Sequence, residues 1–375
     1  MDSKNTSQAP VVLTPAEEVA RNKTKLSIVT HALLFVVLSA VLNSYFLFGT
    51  AAAIHAVLII VTAVVSAFFA HTIFYMFFDG LEKTKFSSFA ERIKSTVPRT
   101  LTGAPLVTAL IIGLGVQPSV PLYVVGVATI LAEILVKLLF GGFGQNIFNP
   151  AAFAFLFIAV SFGNTAIVTP YLPDVMSSAT PLAGLNAANW IMTAQEAQNF
   201  VVHTGGLGRM LVGQVPGSLG ETSRLAMLIA CAYITLRKAA DWVLPTVYLV
   251  TIFIITFIYA LIIGTDVLLY PVIHLLTGGV IFGAVFMATD PITTPKNKTG
   301  KIIWAIGLAM FTLLIRFNSG HSEGVSFSIL LMCILTPLID TKTTSEKAKK
   351  AMPVIVTFIV AVGVVIGLTL LMNNA

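Results

Sequence analysis

The chain has 375 residues, of which 57% are apolar and 10% charged, and its formal net charge is +6. Soluble domains carry about a quarter charged residues, so this composition cannot clothe a water-facing surface and excludes a soluble globular protein. The positive balance does not point to nucleic acid, because the basic residues form neither one face nor one basic arm.

In chain order, residues 1–26 are a polar arm with Lys4, Arg21, Lys23 and Lys25, and they lack the pattern of a secretory leader. Apolar runs follow at 27–48, 53–78, 101–117, 121–140 and 149–163. A polar stretch, 164–223, separates these from runs at 224–236, 242–263, 268–288, 302–317 and 325–339. A basic loop and a last run, 353–372, lie within 341–375. A bilayer core takes about 20 apolar residues in a helix, so the reading is an all-α polytopic membrane protein with about ten or eleven transmembrane helices. The units are the arm 1–26, a first half 27–163, the loop 164–223, a second half 224–340 and the segment 341–375. Runs 149–163 and 224–236 are too short to cross straight; broken segments of this kind line cavities, because unpaired backbone cannot face lipid.

Lys and Arg favour the cytoplasmic side of a membrane. With the N-terminus cytoplasmic and eleven crossings, eighteen of the 22 basic residues fall inside: Lys4, Arg21, Lys23, Lys25; Lys83, Lys85, Arg92, Lys94, Arg99; Arg237, Lys238; Lys296, Lys298, Lys301; and Lys342, Lys347, Lys349, Lys350. The net charge is therefore a topology signal. Loop 164–223 becomes extracytoplasmic.

Each half holds a glycine pair followed later by an amide or acid and a proline: "GGFGQNIFNPAA", Gly141–Ala152, and "GGVIFGAVFMATDPITTP", Gly278–Pro295. This is a weak sign of duplication. Two five-helix halves would have opposite topology, the inverted repeat common in transporters.

Glu133 and Lys137, spaced i, i+4 inside run 121–140, share a helix face and can pair. Two readings stand: an ion-path site, because buried ionisable groups are costly in a membrane, or a self-neutralising pair with Lys137 snorkelling to the inner interface. Asn149 and Asp290 join the candidate path; Asp290 precedes Pro291, and a plain helix stop is the favoured competing reading of it. Gly141, Gly142 and Gly144 are either a tight loop or a flat contact for a flavin or a neighbouring protein. His321, Ser322 and Glu323, in "NSGHSEG", either cap a helix or meet a ligand or partner. Cys231 and Cys333 lie apart in apolar runs, and the six histidines lack ligand spacing, so no metal site is expected.

The polar loop contains "DVMSSAT": Asp174, Ser177, Ser178, Ala179 and Thr180. It resembles the flavinylation motif D-x-x-S/T-G-A-T, with Ser178 where glycine is usual. "GQNIFNPAA", "MATDPITTPKNKTGK" and "RFNSGHSEGVSFSILL" likewise resemble the membrane flavoprotein shared by the Rnf and Nqr ion-motive redox complexes, over residues 27–350. The short polar arm is nearer to RnfD, the D component of Rnf, than to the longer-armed NqrB of Nqr. The resemblance implies FMN in phosphoester linkage to Thr180, placed there by a flavin transferase that recognises Asp174 and Ser177. A riboflavin, as in Nqr, is an open addition. It also implies the bacterial cytoplasmic membrane, an extracytoplasmic FMN subunit as electron donor, and electron transfer between ferredoxin and NAD coupled to Na⁺ or H⁺. The competing readings are a small-solute permease or channel without a redox role, and a structural anchor.

Overall fold

The computed structural model describes residues 15–78, 89–166, 190–215, 217–319, 324–344 and 352–373, and every regular element among the described residues is a helix. The first half comprises α1 (Pro15–Phe48), α2 (Thr50–Phe78), α3 (Phe89–Thr102), α4 (Pro105–Gly115), α5 (Leu122–Leu131) and α6 (Pro150–Ala166). Two short helices, α7 (Ala194–His203) and α8 (Leu207–Val212), lie within the stretch 164–223. The second half comprises α9 (Arg224–Leu236), α10 (Val243–Ile263), α11 (Leu269–Leu276), α12 (Val280–Phe282), α13 (Lys298–Asn318) and α14 (Val325–Thr343). α15 (Met352–Asn373) stands outside both halves.

Each of the eleven apolar runs is helical. Six helices, α1, α2, α10, α13, α14 and α15, are long and apolar enough to cross a membrane. Two bent pairs, α3 with α4 and α11 with Val280–Met287, raise the number to eight if each is one span. Pro150–Phe162 and α9 are shorter apolar helices. Large apolar side chains stand outward on α1, α2 and α15, among them Phe46, Val65, Phe77 and Ile359. In water such a surface would aggregate; in hydrocarbon it is the solvated face.

The sequence chemistry sets the breaks. Between α3 and α4, Gly103 ends one helix, Ala104 turns left-handed (φ 50°), and Pro105 opens the next at its first position. Between α11 and α12, Thr277 is extended and Gly278 has φ 68°. Each pair is bent by 65°. The residues at the two breaks read Leu101-Thr102-Gly103-Ala104 and Leu276-Thr277-Gly278-Gly279, sharing Leu-Thr-Gly. The glycine pairs Gly141–Gly142 and Gly278–Gly279 are not equivalent: the first follows the fourth element of its half, and the second breaks the third. By place in the fold, "GGFGQNIFNPAA" instead precedes α6 as "NSGHSEG" precedes α14.

The packing repeats as well. α2 lies on α5 as α10 lies on α13, and the halves meet through equivalent partners, α1 on α9 and α6 on α14. Both halves also depart from α-helical geometry. α5 runs on as a π-helical segment, Ala132–Leu138, and α12 as a π-helical turn, Gly283–Met287. Such segments widen the backbone spiral and cluster at functional sites.

Candidate functional site

The π-helical segment after α5 carries Glu133 and Lys137, both almost wholly buried. Lys137 Nζ lies 3.1 Å from Glu133 Oε2 and donates to Thr108 Oγ1 at 3.0 Å and to the Ala104 carbonyl at 3.2 Å. The lysine therefore does not snorkel to the interface; it reaches across to the break between α3 and α4. A third member arrives from α2. His71 Nε2 lies 2.8 Å from Glu133 Oε2, and both side chains have 0% exposure. An ionised carboxylate only accepts, so with Glu133 ionised the imidazole proton would sit on Nε2. Gly103 makes room for the ring: a Cβ there would stand 2.6 Å from His71 Cε1.

Beside this triad is a cavity of about 450 Å³ between the two halves. The first half lines it with Thr108, Lys137, Gly144 and Asn149, and the second with Phe286 and Asp290. Asn149 joins them physically. Its Oδ1 accepts from the Ala151 and Ala152 amides at 3.1 Å, capping α6, and its Nδ2 donates to the Met287 carbonyl at 3.3 Å. Asp290 accepts from the Ile292 amide and the Thr293 hydroxyl, so it shapes the turn before Pro291 while it also lines the cavity.

Four predicted residues, Lys137, Asn149, Asp290 and Gly144, thus share one cavity, with Glu133 bonded directly behind Lys137. Gly141 and Gly142 form the turn after the π-helical segment with φ of 112° and 91°, beside the cavity lining. Asp174, Ser177, Ser178, Ala179, Thr180, His321, Ser322 and Glu323 lie outside the described residues. Among the described residues no three His, Cys, Asp or Glu side chains gather as metal ligands. Spacing arguments do not reach His71, because it sits 62 residues from Glu133 on another helix. The one local trace of it is Gly103, the small residue that admits its ring.

A second buried site has the same plan. Arg316, fully buried near the end of α13, donates to the carbonyls of His274 at 2.9 Å and Thr277 at 3.4 Å, at the break between α11 and α12. Four residues earlier, Thr312 donates to Leu308 O, and Tyr248 Oη of α10 shares a hydrogen bond with the Thr312 hydroxyl at 3.1 Å.

Residues 16–349 match the profile of the NQR2, RnfD, RnfE family. The chain is 38% identical over 240 residues, 64% of this chain and 70% of the relative, to the D component of the Na(+)-translocating ferredoxin:NAD(+) oxidoreductase complex of Acetobacterium woodii. It is 35% identical over 270 residues, 69% of this chain and 78% of the relative, to the D component of the proton-translocating ferredoxin:NAD(+) oxidoreductase complex of Clostridium ljungdahlii. Similarity to the D component of the ion-translocating oxidoreductase complex of Colwellia psychrerythraea is lower, 27%, but extends over 86% of this chain and 93% of that protein.

Proposed function

Because the chain belongs to the NQR2, RnfD, RnfE family, we propose that it is a membrane subunit of an Rnf-type ferredoxin:NAD oxidoreductase, carrying FMN on Thr180 and coupling electron transfer to Na⁺ or H⁺ movement. The observation that carries this reading is the buried Glu133–Lys137–His71 triad beside a cavity between two half-bundles. Ionisable groups in hydrocarbon are expensive and mark ion or proton paths. A solute permease would share the cavity, but the three relatives above are named as parts of ion-translocating oxidoreductase complexes, which favours the redox reading.

The flavin supplies one-electron chemistry that no side chain here provides. The threonine hydroxyl at position 180 is the group type that a phosphoester needs. The cavity also suits a second, non-covalent flavin of the riboflavin kind. Its volume lies within the range of about 300–1,000 Å³ usual for small-molecule sites, and at Gly144 nothing lies within 4 Å of where a Cβ would stand. Gly144, Asn149 and Lys137 would hold such a ring.

The chain's own residues do the rest. His71 and Lys137 both hold Glu133 by its Oε2. Asp290 faces the same cavity and gives a cation a second carboxylate. The broken third elements and the π-helical segments are where two arrangements can differ little in energy. A change of charge at a flavin can bias them only through different interactions in each arrangement. The setting is the bacterial cytoplasmic membrane, with an extracytoplasmic FMN protein as donor and a flavin transferase as the modifying partner.

Co-expression with a flavin transferase tests the cofactor. Denatured wild-type chain should give a fluorescent band under ultraviolet light, and Thr180→Ala should not. A dark wild-type band, with the transferase active on another target, would contradict the reading.

A further inference from the structure

Each half uses a cation from its fourth element to cap the break in its third. Lys137 caps Ala104, and Arg316 caps His274 and Thr277. The residue four positions before the cation is Glu133 in one half and Thr312 in the other. A side chain from the second element bonds each of them, His71 in one half and Tyr248 in the other. The two devices correspond part for part, and the second also holds an imidazole, His274, 3.5 Å from the Arg316 guanidinium, yet only the first contains a carboxylate and an amine. The second shows that a broken element of this shape can be capped by a fixed cation with hydroxyl partners behind it. Capping alone therefore does not explain the carboxylate at the first break.

The oxygens around Lys137 Nζ do. They are a backbone carbonyl, Ala104 O, at 3.2 Å; a hydroxyl, Thr108 Oγ1, at 3.0 Å; and a carboxylate, Glu133 Oε2, at 3.1 Å. Hard cations take this set of oxygen donors. Discontinuous transmembrane helices supply such oxygens where the backbone is unwound. A lysine ammonium is a compact point charge on a flexible stem, able to leave, whereas a guanidinium is a rigid fork. Lys137 also has somewhere to go: it lines the cavity that Asp290 lines, and the two are within electrostatic reach.

We propose that Ala104 O, Thr108 Oγ1 and Glu133 form a Na⁺ site in which the Lys137 ammonium is the resident stand-in, and that Na⁺ displaces it toward Asp290. The exchange takes the three side chains from a net charge of −1 to neutral once Na⁺ enters, Asp290 being held beforehand by the Ile292 amide and the Thr293 hydroxyl. Before exchange, Lys137 pairs with Glu133; afterwards Na⁺ pairs with Glu133 and Lys137 with Asp290. Glu133, the buried carboxylate, does not lose one cation without gaining another, so the full cost of leaving it uncompensated is avoided. His71 is a positioning residue, holding Glu133 Oε2 in both states. The inference rests on the ion-path reading above and adds the site, the ion and the competitor.

Thermal unfolding of the purified complex, in NaCl against KCl at equal ionic strength, reads the site without turnover. Na⁺ should raise the transition temperature and K⁺ should not. Lys137→Met removes the competitor, so half-saturation should fall by about tenfold or more in Na⁺. Thr108→Val removes a ligand and should raise it by a similar factor in the otherwise native chain. Unchanged Na⁺ dependence in both variants, or none in the wild type, overturns the proposal. If Lys137→Met does not fold, Thr108→Val decides alone. Flavin fluorescence on the same samples separates the two readings. A fluorescent chain without a Na⁺ effect overturns the site only; a dark chain with one overturns the flavin assignment only.

Discussion

Glu133 accepts from His71 and Lys137 at once, and its burial makes each partner matter. Replacing His71 by alanine removes one donor from a buried carboxylate and empties the space that Gly103 provides. Thermal unfolding should show a loss of about 1–3 kcal/mol, and His71→Gln, which keeps an N–H, a smaller one. Equal stability of wild type and His71→Ala would contradict the triad. A second ion pair is of another kind. Lys301 of α13 bonds Asp241 in the loop before α10. Burial raises the Asp241 carboxyl, but the Lys301 hydrogen bond, the Val243 amide and the nearby lysine charges outweigh it and hold the group below the usual carboxylate range. A depressed carboxylate adds stability above its unfolded value near 4 and loses it as pH falls through the folded value. Asp241→Asn should therefore cost less than about 1 kcal/mol at neutral pH, since the pair is partly exposed, and almost nothing once the pH is below the folded value. A pH series of unfolding temperatures checks both limits.

At the scale of elements, Asn149 separates two duties. Asn149→Asp keeps an oxygen for the Ala151 and Ala152 amides but has no N–H for the Met287 carbonyl. Asn149→Ala loses both. The alanine variant should lose about 0.5–2 kcal/mol for the cap alone, measured by unfolding, with the aspartate variant between it and wild type. Identical losses would mean that the cap contributes nothing. Much at this scale is legible in the chain. Hydropathy marks every apolar run because lipid exposure demands unbroken apolar stretches. Spacing pairs Glu133 with Lys137 because i, i+4 neighbours touch within one helix. Proline and glycine punctuate the breaks, but matching the halves by their glycine pairs sets unlike turns together. A glycine records that the backbone needs freedom, not which turn needs it. His71 and the partnership of Lys137 with Ala104 depend on helices far apart in sequence, which no local pattern encodes.

At the scale of the whole molecule, two five-element halves share a plan and differ in charge. The first has a carboxylate–amine site, the second a fixed arginine cap, and the cavity lies between the halves. That asymmetry suits a device in which one half exchanges a cation while the other holds its shape. Reconstituting the complete complex in vesicles and measuring ion uptake per electron transferred, for wild type and Glu133→Gln, tests the account most directly. Glu133→Gln should keep electron flow within about twofold while uptake per electron falls about tenfold or more, a loss of order 1.4 kcal/mol or greater in coupling. Unchanged uptake per electron in a folded, flavin-bearing Glu133→Gln complex would contradict the assignment of this buried triad to the ion path.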